Sequence, residues 1–184
     1  MTRSEASVLM SVKSNMIKDA YPIVSFQQHS VVAVYILTHH ETKIEKATAM
    51  QLIYQNKYID TNIITFGGQY ITGSDLLSTC LPRDMFMEYR GVRIVNGRLL
   101  QGRVNKDILN NGILYHIWKD YGSDLACQFI AGTQLLLEEY IQMEGVSIGL
   151  DDCQFSFSGV TEQNVDKCLS YVDEYADHRP TDIE

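Results

Sequence analysis

One dipeptide, Asn96-Gly97, constrains the fold of this chain more than any other feature. It lies between two runs of alternating apolar and polar residues, 92–95 and 99–104. Both central residues of a type I′ turn need positive φ, which Asn and Gly tolerate better than other residues. The dipeptide therefore predicts a two-stranded antiparallel ribbon, which Gly102 is expected to end.

A helical pattern follows the ribbon. Residues 106–121 have helical periodicity, Gly122 interrupts it, and residues 125–143 form the longest periodic segment of the chain. Apolar residues recur in this segment at three- and four-residue steps, so one face of the helix is apolar. They are Ala126, Phe129, Ile130, Thr133, Leu136, Leu137 and Tyr140. Gly145 is expected to end the helix.

Shorter elements are predicted on both sides of this region. Thr42-Lys43-Ile44-Glu45 has the sequence of a capping box and predicts a helix over 43–54. Pro22 favours extended backbone over 17–25. The other predicted elements are helices over 6 to about 15, 28–38, 76–80 and 161–176 and a strand over 62–66. The residues expected to face inward are Val31, Val34 and Tyr35 in the helix over 28–38, Ile44, Ala47, Met50 and Tyr54 in the helix over 43–54, and Val165, Cys168, Leu169 and Val172 in the helix over 161–176.

The predicted fold class is α+β. Several helices surround the short ribbon with its turn at Asn96-Gly97, one helix is long and amphipathic, and an extra helix lies near the C-terminus. With 184 residues, the chain is long enough for one domain with a short appendage.

The order of these features carries a family resemblance. The features follow one another in a fixed order: an apolar strand, Asn-Gly, a strand ending in Gly, a Lys, a Gly, a Leu before a His, a Gly, a long helix and Gly-x-Ser-x-Gly-x-x-Asp. The positions are Ile94, Asn96, Gly97, Leu99, Gly102, Lys106, Gly112, Leu114, His116, Gly122, Gly145, Ser147, Ile148, Gly149 and Asp152. This pattern resembles the pore segment, domain 3, of the largest subunit of multisubunit DNA-directed RNA polymerases, of the eukaryotic or viral type.

The resemblance extends towards the N-terminus and implies a domain division. Gln28 matches the first residue of the family's Gln-Asp pair, whereas His29 replaces the Asp. Leu37 and Thr38 match the Leu-Thr that ends the following helix. The resemblance implies a pore-like domain over 1–152, with the start of a funnel-like helical segment and an acidic tail over 153–184.

The resemblance implies a role in transcription. The segment would form the wall of the secondary channel, where nucleoside triphosphates enter and the 3′ end of backtracked RNA is received. A cation there raises the local concentration of triphosphate. The candidate channel residues are Lys106, Arg103 and Gln28. The family often has a second basic residue after the lysine, where this chain has Asp107; a solvated surface charge is the alternative interpretation of Lys106.

Catalysis by this segment alone is not expected. In the family, the aspartates of an Asn-Ala-Asp-Phe-Asp-Gly-Asp loop hold the catalytic magnesium, and this sequence lacks that loop. Magnesium is therefore implied for the complete polymerase and no cofactor for this segment, and whether the chain is an enzyme stays open. The residues with structural roles are Asn96, Gly97, Gly102, His116, Gly145, Gly149 and Asp152.

Other catalytic or metal-binding interpretations are weaker. His39-His40-Glu41 lacks the spacing that places two histidines on one face of a helix, so a solvated turn is favoured. Asp151-Asp152 lacks a third carboxylate at a defined spacing, so turn capping is favoured. His116 is interpreted as a hydrogen-bonded core histidine. The four cysteines, at positions 80, 127, 153 and 168, contain no Cys-x-x-Cys and are expected to be free thiols.

Charge and hydropathy limit the partners and the location. A net charge of -8 argues against stand-alone DNA binding, because duplex affinity comes mainly from Lys and Arg. No apolar run approaches the ~20 residues that span a bilayer, and the N-terminus lacks a secretory signal, so a cytoplasmic or nuclear location is expected. The expected partners are other polymerase segments and subunits, with triphosphates and the RNA 3′ end only in the assembled enzyme.

Two other functions are compatible with the sequence. The chain is alternatively a non-enzymatic interaction or regulatory protein that keeps a polymerase-derived fold. A small unrelated metalloenzyme ranks last, because only the two histidines at 39 and 40 and the aspartates at 151 and 152 favour it.

Overall fold

Helices and short antiparallel strands alternate along the chain, which confirms the predicted α+β class. The computed structural model describes residues 2–18, 21–54, 56–59, 68–147, 149–150 and 164–172. The strands are β1 (Ile17–Lys18), β2 (Tyr21–Pro22), β3 (Lys43–Glu45), β4 (Tyr70–Thr72), β5 (Met87–Tyr89), β6 (Val92–Val95) and β7 (Arg98–Gln101). The helices are α1 (Thr2–Leu9), α2 (His29–Leu37), α3 (Lys46–Tyr54), α4 (Gly73–Ser78), α5 (Tyr115–Tyr121), α6 (Ser123–Glu144) and α7 (164–172). A 3-10 turn covers Val12–Asn15 and a π-helix covers Ile108–Leu114.

The hairpin at Asn96-Gly97 is confirmed. Asn96 has φ 50° and Gly97 has φ 69°, the left-handed values that the turn requires. Strands β6 and β7 pair antiparallel on either side of it. Strand β5, which was not predicted, adds a third strand through the pair Met87 and Ile94.

Helix α6 is the main packing element and agrees with its prediction. It begins after Gly122, which has φ 88°, and ends at Gly145, which has φ 70°. Its apolar face packs against α2, α3, α5 and the π-helix. The buried residues are Ala126, Phe129, Gly132, Thr133, Leu136, Leu137 and Tyr140, and Ile130 is half-buried. Six of these eight buried or half-buried residues are hydrophobic side chains of the predicted stripe, so the core position of this helix follows directly from its periodicity.

The predicted helical run over 106–121 is helical but not uniform. Residues 108–114 form a π-helix, which the periodicity did not predict. A π-helix closes i→i+5 hydrogen bonds, is rare, and is found mostly as single turns, frequently at functional sites. Within this segment only Asn111 is exposed, since the other six residues are buried. The π-helix is therefore enclosed by neighbouring elements on nearly all sides.

The predicted capping box at 42–45 is wrong. Lys43–Glu45 is strand β3, which pairs antiparallel with β4 and places Ile44 opposite Ile71. The helix begins only at Lys46. Burial of Ile44 in the sheet, where it is 7% exposed, outweighs the local capping preference. Pairing with a strand far along the sequence has no local signal, so the sequence pattern did not predict it.

The predicted inward faces of two short helices are partly wrong. In α2, Val34 is buried as predicted, but Tyr35 is 45% exposed. In α3, Met50 and Tyr54 are exposed, and the buried residues are Ala49, Leu52 and Ile53. Ala47 is also exposed. Both helices have apolar residues on most sides, so the periodicity of nine residues does not determine which side faces the core.

The helix predicted over 76–80 is present but begins and ends earlier, at Gly73–Ser78. Thr72 caps it, since its hydroxyl accepts a hydrogen bond from the Asp75 N–H. The extended segment around Pro22 contains the paired strands β1 and β2. The predicted strand over 62–66 lies outside the described residues. Of the predicted C-terminal helix over 161–176, residues 164–172 are described and are helical.

The chain divides into two compact units, Met1–Gly145 and Val146–Glu184. The first unit contains β1 to β7 and α1 to α6. In the second unit, every residue of α7 is exposed. Among the described helices, none combines the length and apolar character that crossing a membrane requires.

Candidate site at the pi-helix

Asn110 connects the π-helix to the extended segment that follows β2. Its side chain is buried, although Asn111 beside it is exposed. The Oδ1 atom of Asn110 accepts a hydrogen bond from the Phe26 N–H at 2.8 Å. Its Nδ2 group donates to the Phe26 carbonyl at 3.1 Å. A single side chain therefore satisfies both backbone groups of a residue 84 positions away in sequence.

A surface cleft of 340 Å³ lies between these two segments. Its lining is mainly polar at the helix side and includes the exposed side chain of Lys106. The lining residues are Pro22, Ser25, Lys106, Asp107, Asn110 and Asn111. The structure thus places one candidate of the sequence analysis, Lys106, at a concave surface. It adds four residues that the sequence analysis did not connect with Lys106, namely Pro22, Ser25, Asn110 and Asn111.

Asp107 is an acidic residue next to Lys106, but a cation compensates its charge. The Arg90 guanidinium donates to its Oδ2 atom at 2.6 Å. Asn111 donates to the other carboxylate oxygen at 2.8 Å. Because both oxygens are engaged and the ion pair is neutral overall, Asp107 cancels less of the positive potential of Lys106 than an isolated carboxylate would.

Arg103 and Gln28, the other two candidates, are not among the residues that line this cleft. The Arg103 guanidinium carbon lies 3.3 Å from the centre of the Tyr35 ring, and its Nε donates to the Tyr35 carbonyl at 2.9 Å. Gln28 is exposed with φ 49°, and its carbonyl accepts hydrogen bonds from the N–H groups of Val31 and Val32. Lys106 therefore lies at the cleft, whereas Arg103 contacts Tyr35 of helix α2 and Gln28 lies at the N-terminus of that helix.

The residues with predicted structural roles have specific surroundings. A Cβ atom on Gly97 would lie 2.4 Å from the Pro82 carbonyl oxygen, and one on Gly102 would lie 2.7 Å from the Cα of Val92. The half-buried His116 donates from Nδ1 to the Gly112 carbonyl at 2.7 Å. Gly145 ends α6 and Gly149 is exposed. Asp152 lies outside the described residues.

His39, His40 and Glu41 lie on a turn and not on a helix. One ligand atom from each lies within 4.8 Å of the others, so these three residues are a group that could hold a metal ion. The side chains of His40 and Glu41 are 80% and 77% exposed, and the His40 Nε2 lies 3.6 Å from the Glu41 Oε1. Glu41 also lines a cleft of 580 Å³ together with Glu45 and Glu144. Exposed acidic groups are common in proteins without a bound metal ion.

The three described cysteines form no disulfide, and their environments differ. Cys80 is buried, and this burial raises the pKa of its thiol from 9.0 to about 11. Cys127 is half-buried with its Sγ 3.5 Å from the Met16 sulfur. Cys168 is exposed on α7. Since the nucleophilic form is the thiolate, Cys80 is the least reactive of the three.

Comparison with known proteins identifies the family to which this arrangement belongs. The family described as RNA polymerase Rpb1, domain 3, matches residues 17–153. The chain belongs to this family. The matched residues include the hairpin at Asn96-Gly97, the helical run 106–121 and α6, which are the segments that carried the resemblance in the sequence. The chain is therefore a domain-3 segment of the largest subunit of a DNA-directed RNA polymerase.

Individual relatives come from archaea and yeast. The chain is 29% identical over 164 residues to DNA-directed RNA polymerase subunit Rpo1N of Halobacterium salinarum, covering 82% of this chain and 17% of the relative. It is 26% identical over 202 residues to Rpo1N of Methanococcus vannielii, covering 94% and 22%. It is 24% identical over 189 residues to DNA-directed RNA polymerase III subunit RPC1 of Saccharomyces cerevisiae, covering 82% and 13%. The chain thus spans between 13 and 22% of the length of these relatives.

Proposed function

We propose that this domain forms part of the wall of the secondary channel of a multisubunit RNA polymerase. In this role it admits nucleoside triphosphates to the active centre and receives the 3′ end of backtracked RNA. Its partners are the other polymerase segments and subunits. The magnesium that activates the 3′ hydroxyl is held by carboxylates outside this sequence, so the domain contributes to passage and not to the chemical step.

The single observation that supports this proposal best is the position of Lys106. Its ammonium group is exposed at the 340 Å³ cleft, and the neighbouring Asp107 is paired with Arg90. An ammonium at a concave surface attracts triphosphate more strongly than one on a flat surface, because low-dielectric walls focus its field. Ser25, which lines the same cleft, offers a hydroxyl donor for phosphate oxygens.

The proposal is tested by Lys106→Gln in the complete polymerase that contains this domain. Because one charge is lost near a polyanion, KM for the nucleoside triphosphates is expected to rise about threefold at low ionic strength and to approach the wild-type value at high salt, where the Debye length falls. Charge reversal with Lys106→Glu should raise KM further at low ionic strength, with the same decrease of the effect at high salt.

The matched control is Lys119→Gln. Lys119 is an exposed lysine on α5 and is not among the residues that line the cleft. Its substitution removes the same charge from the domain, so it separates a local effect from a change in net charge. If Lys106→Gln and Lys119→Gln gave equal KM values at low salt, Lys106 would be an ordinary surface charge and the proposal would lose its support.

A further inference from the structure

We infer that Asn110 is a positioning residue for the Lys106 cleft: its buried amide holds residues 22–26 against the π-helix and so fixes the wall that faces Lys106. This inference rests on the proposed function, since it assigns Asn110 an effect on triphosphate entry. Asn110 itself need not touch a nucleotide, because it acts through Phe26.

Asn110 and Phe26 exchange two hydrogen bonds. The side-chain amide of Asn110 accepts from the Phe26 N–H at 2.8 Å and donates to the Phe26 carbonyl at 3.1 Å. This exchange of two hydrogen bonds reproduces the pairing between two residues of adjacent antiparallel strands. The Phe26 side chain is 3% exposed and meets the Phe129 ring edge-on, with 5.8 Å between centroids. Phe26 is thus held at its backbone by Asn110 and at its ring by α6.

The two sides of the cleft meet at this contact. Ser25, which lines one side, directly precedes Phe26, and Pro22 lies four residues before it. Lys106 lines the other side and lies four residues before Asn110 on the same helical run. A displacement of Phe26 would therefore move Ser25 relative to Lys106 and change the width of the cleft.

The π-helix accounts for the inward direction of a polar residue in an apolar segment. Ile108, Leu109, Ile113 and Leu114 are all buried, and Asn110 lies between them. The wider i→i+5 turn changes the angular position of the residues relative to an α-helix, so Asn110 faces the Phe26 backbone while the apolar residues stay buried. An unpaired buried amide would be costly, and the two hydrogen bonds to Phe26 offset that cost.

Two substitutions distinguish the parts of this contact. Asn110→Ala removes both hydrogen bonds and leaves the N–H and carbonyl of Phe26 without this partner. Asn110→Asp keeps an acceptor for the N–H but places an oxygen opposite the carbonyl, where the wild type has a donor. Both variants are therefore expected to loosen the contact relative to the wild type, and Asn110→Asp tests the donor to the Phe26 carbonyl separately.

The matched control is Asn56→Ala. Asn56 is also a buried asparagine that joins distant backbone, because its Nδ2 donates to the Gly132 carbonyl at 2.5 Å. Its Oδ1 accepts from the N–H of the nearby Tyr58 at 3.1 Å. It is not among the residues that line the cleft. Its removal is expected to destabilise the domain to a similar extent, so it reports what a purely structural loss does.

The first measurement is amide hydrogen exchange on the 184-residue chain. In Asn110→Ala the Phe26 amide is expected to exchange at least about tenfold faster than in the wild type, while in Asn56→Ala it changes much less. Equal acceleration of the Phe26 amide in both variants would overturn the inference, because it would reflect only general loss of stability.

The second measurement is steady-state kinetics of the complete polymerase. Asn110→Ala is expected to raise KM for triphosphates on the order of fivefold with little change in kcat, and Asn56→Ala to leave KM near its wild-type value. If Lys106→Gln raises KM but Asn110→Ala does not, the inference on Asn110 is wrong and the proposed function stands. If neither substitution changes KM, the proposed function and the inference both fail.

Discussion

The guanidinium of Arg103 lies over the ring of Tyr35 and also donates a hydrogen bond to the backbone of the same residue. Its central carbon is 3.3 Å from the ring centre, and its Nε donates to the Tyr35 carbonyl at 2.9 Å. The contact joins the segment that follows β7 to the exposed side of α2. It also explains why Tyr35 is 45% exposed, since the ring covers the arginine instead of the core.

This relationship predicts that Arg103 and Tyr35 stabilise the fold as a pair. Arg103→Lys keeps the charge but loses the planar group that stacks, and Tyr35→Leu loses the ring. A double-mutant cycle by urea unfolding is expected to give a coupling free energy of about 0.5 to 1 kcal/mol, as for other partly exposed cation–π pairs. A coupling free energy near zero would show that the two residues contribute independently.

A second prediction concerns the turn glycines Gly97 and Gly91. Both have positive φ, 69° and 82° respectively. A Cβ on Gly97 would lie 2.4 Å from the Pro82 carbonyl oxygen, whereas a Cβ on Gly91 would have no atom within 4 Å. Gly91→Ala should therefore lower the free energy of unfolding only through backbone strain, by about 1 kcal/mol. Gly97→Ala should lower it more, because the Pro82 backbone must also move.

The comparison of these two variants is the measurement that separates strain from steric overlap. Free energies of unfolding from urea titrations of the two proteins are compared directly. Equal losses in Gly91→Ala and Gly97→Ala would mean that the backbone near Pro82 relaxes without cost, and that the hairpin is less tightly held than the structure shows.

Local signals made much of the fold predictable. The turn at Asn96-Gly97 depends on the φ preferences of two adjacent residues, and the boundaries of α6 depend on Gly122 and Gly145. The capping box at 42–45 failed because Ile44 pairs with Ile71, which is distant in sequence. Strand pairing of this kind has no signature within a short window, so the local helix preference was the stronger pattern.

The candidate site was predictable only in part, for a similar reason. Lys106 was identified from its place in the family pattern and lies at a cleft. Asn110 was missed because its role depends on the backbone of Phe26, 84 residues away, and on a π-helix that periodicity does not indicate. The signal that was available is the pair Asn110-Asn111 inside an otherwise apolar helical run, which requires a buried partner for at least one amide.

A third prediction concerns the pH dependence of stability caused by Cys80. Burial raises the pKa of its thiol from 9.0 to about 11 in the folded state. The unfolded chain therefore loses this proton first as the pH rises, so the stabilisation is complete below pH 9 and is lost as the pH approaches 11. This difference between the folded and unfolded pKa corresponds to a loss on the order of 3 kcal/mol in the free energy of unfolding.

The variant Cys80→Ala isolates this contribution, because every other titratable group is the same in both proteins. The free energy of unfolding of the wild type is expected to fall more steeply between pH 9 and 11 than that of Cys80→Ala. In the same pH range, alkylation should modify the exposed Cys168 well before Cys80. Parallel pH profiles for the two proteins would show that Cys80 does not titrate differently on folding.

The last prediction concerns α7, whose apolar residues are not covered. Val165, Leu169 and Val172 are 54%, 57% and 63% exposed, although they recur at three- and four-residue steps. The exposure of these side chains leaves the described part of α7 without the packing of an apolar face, from which most helical stability in proteins comes. Amides of 164–172 are therefore expected to exchange within the dead time of a manual experiment, whereas those in the middle of α6 are protected. In the complete polymerase, burial of this stripe by another segment should slow exchange over the same residues. Protection of 164–172 equal to that of α6 in the monomeric chain would contradict the exposure of these side chains.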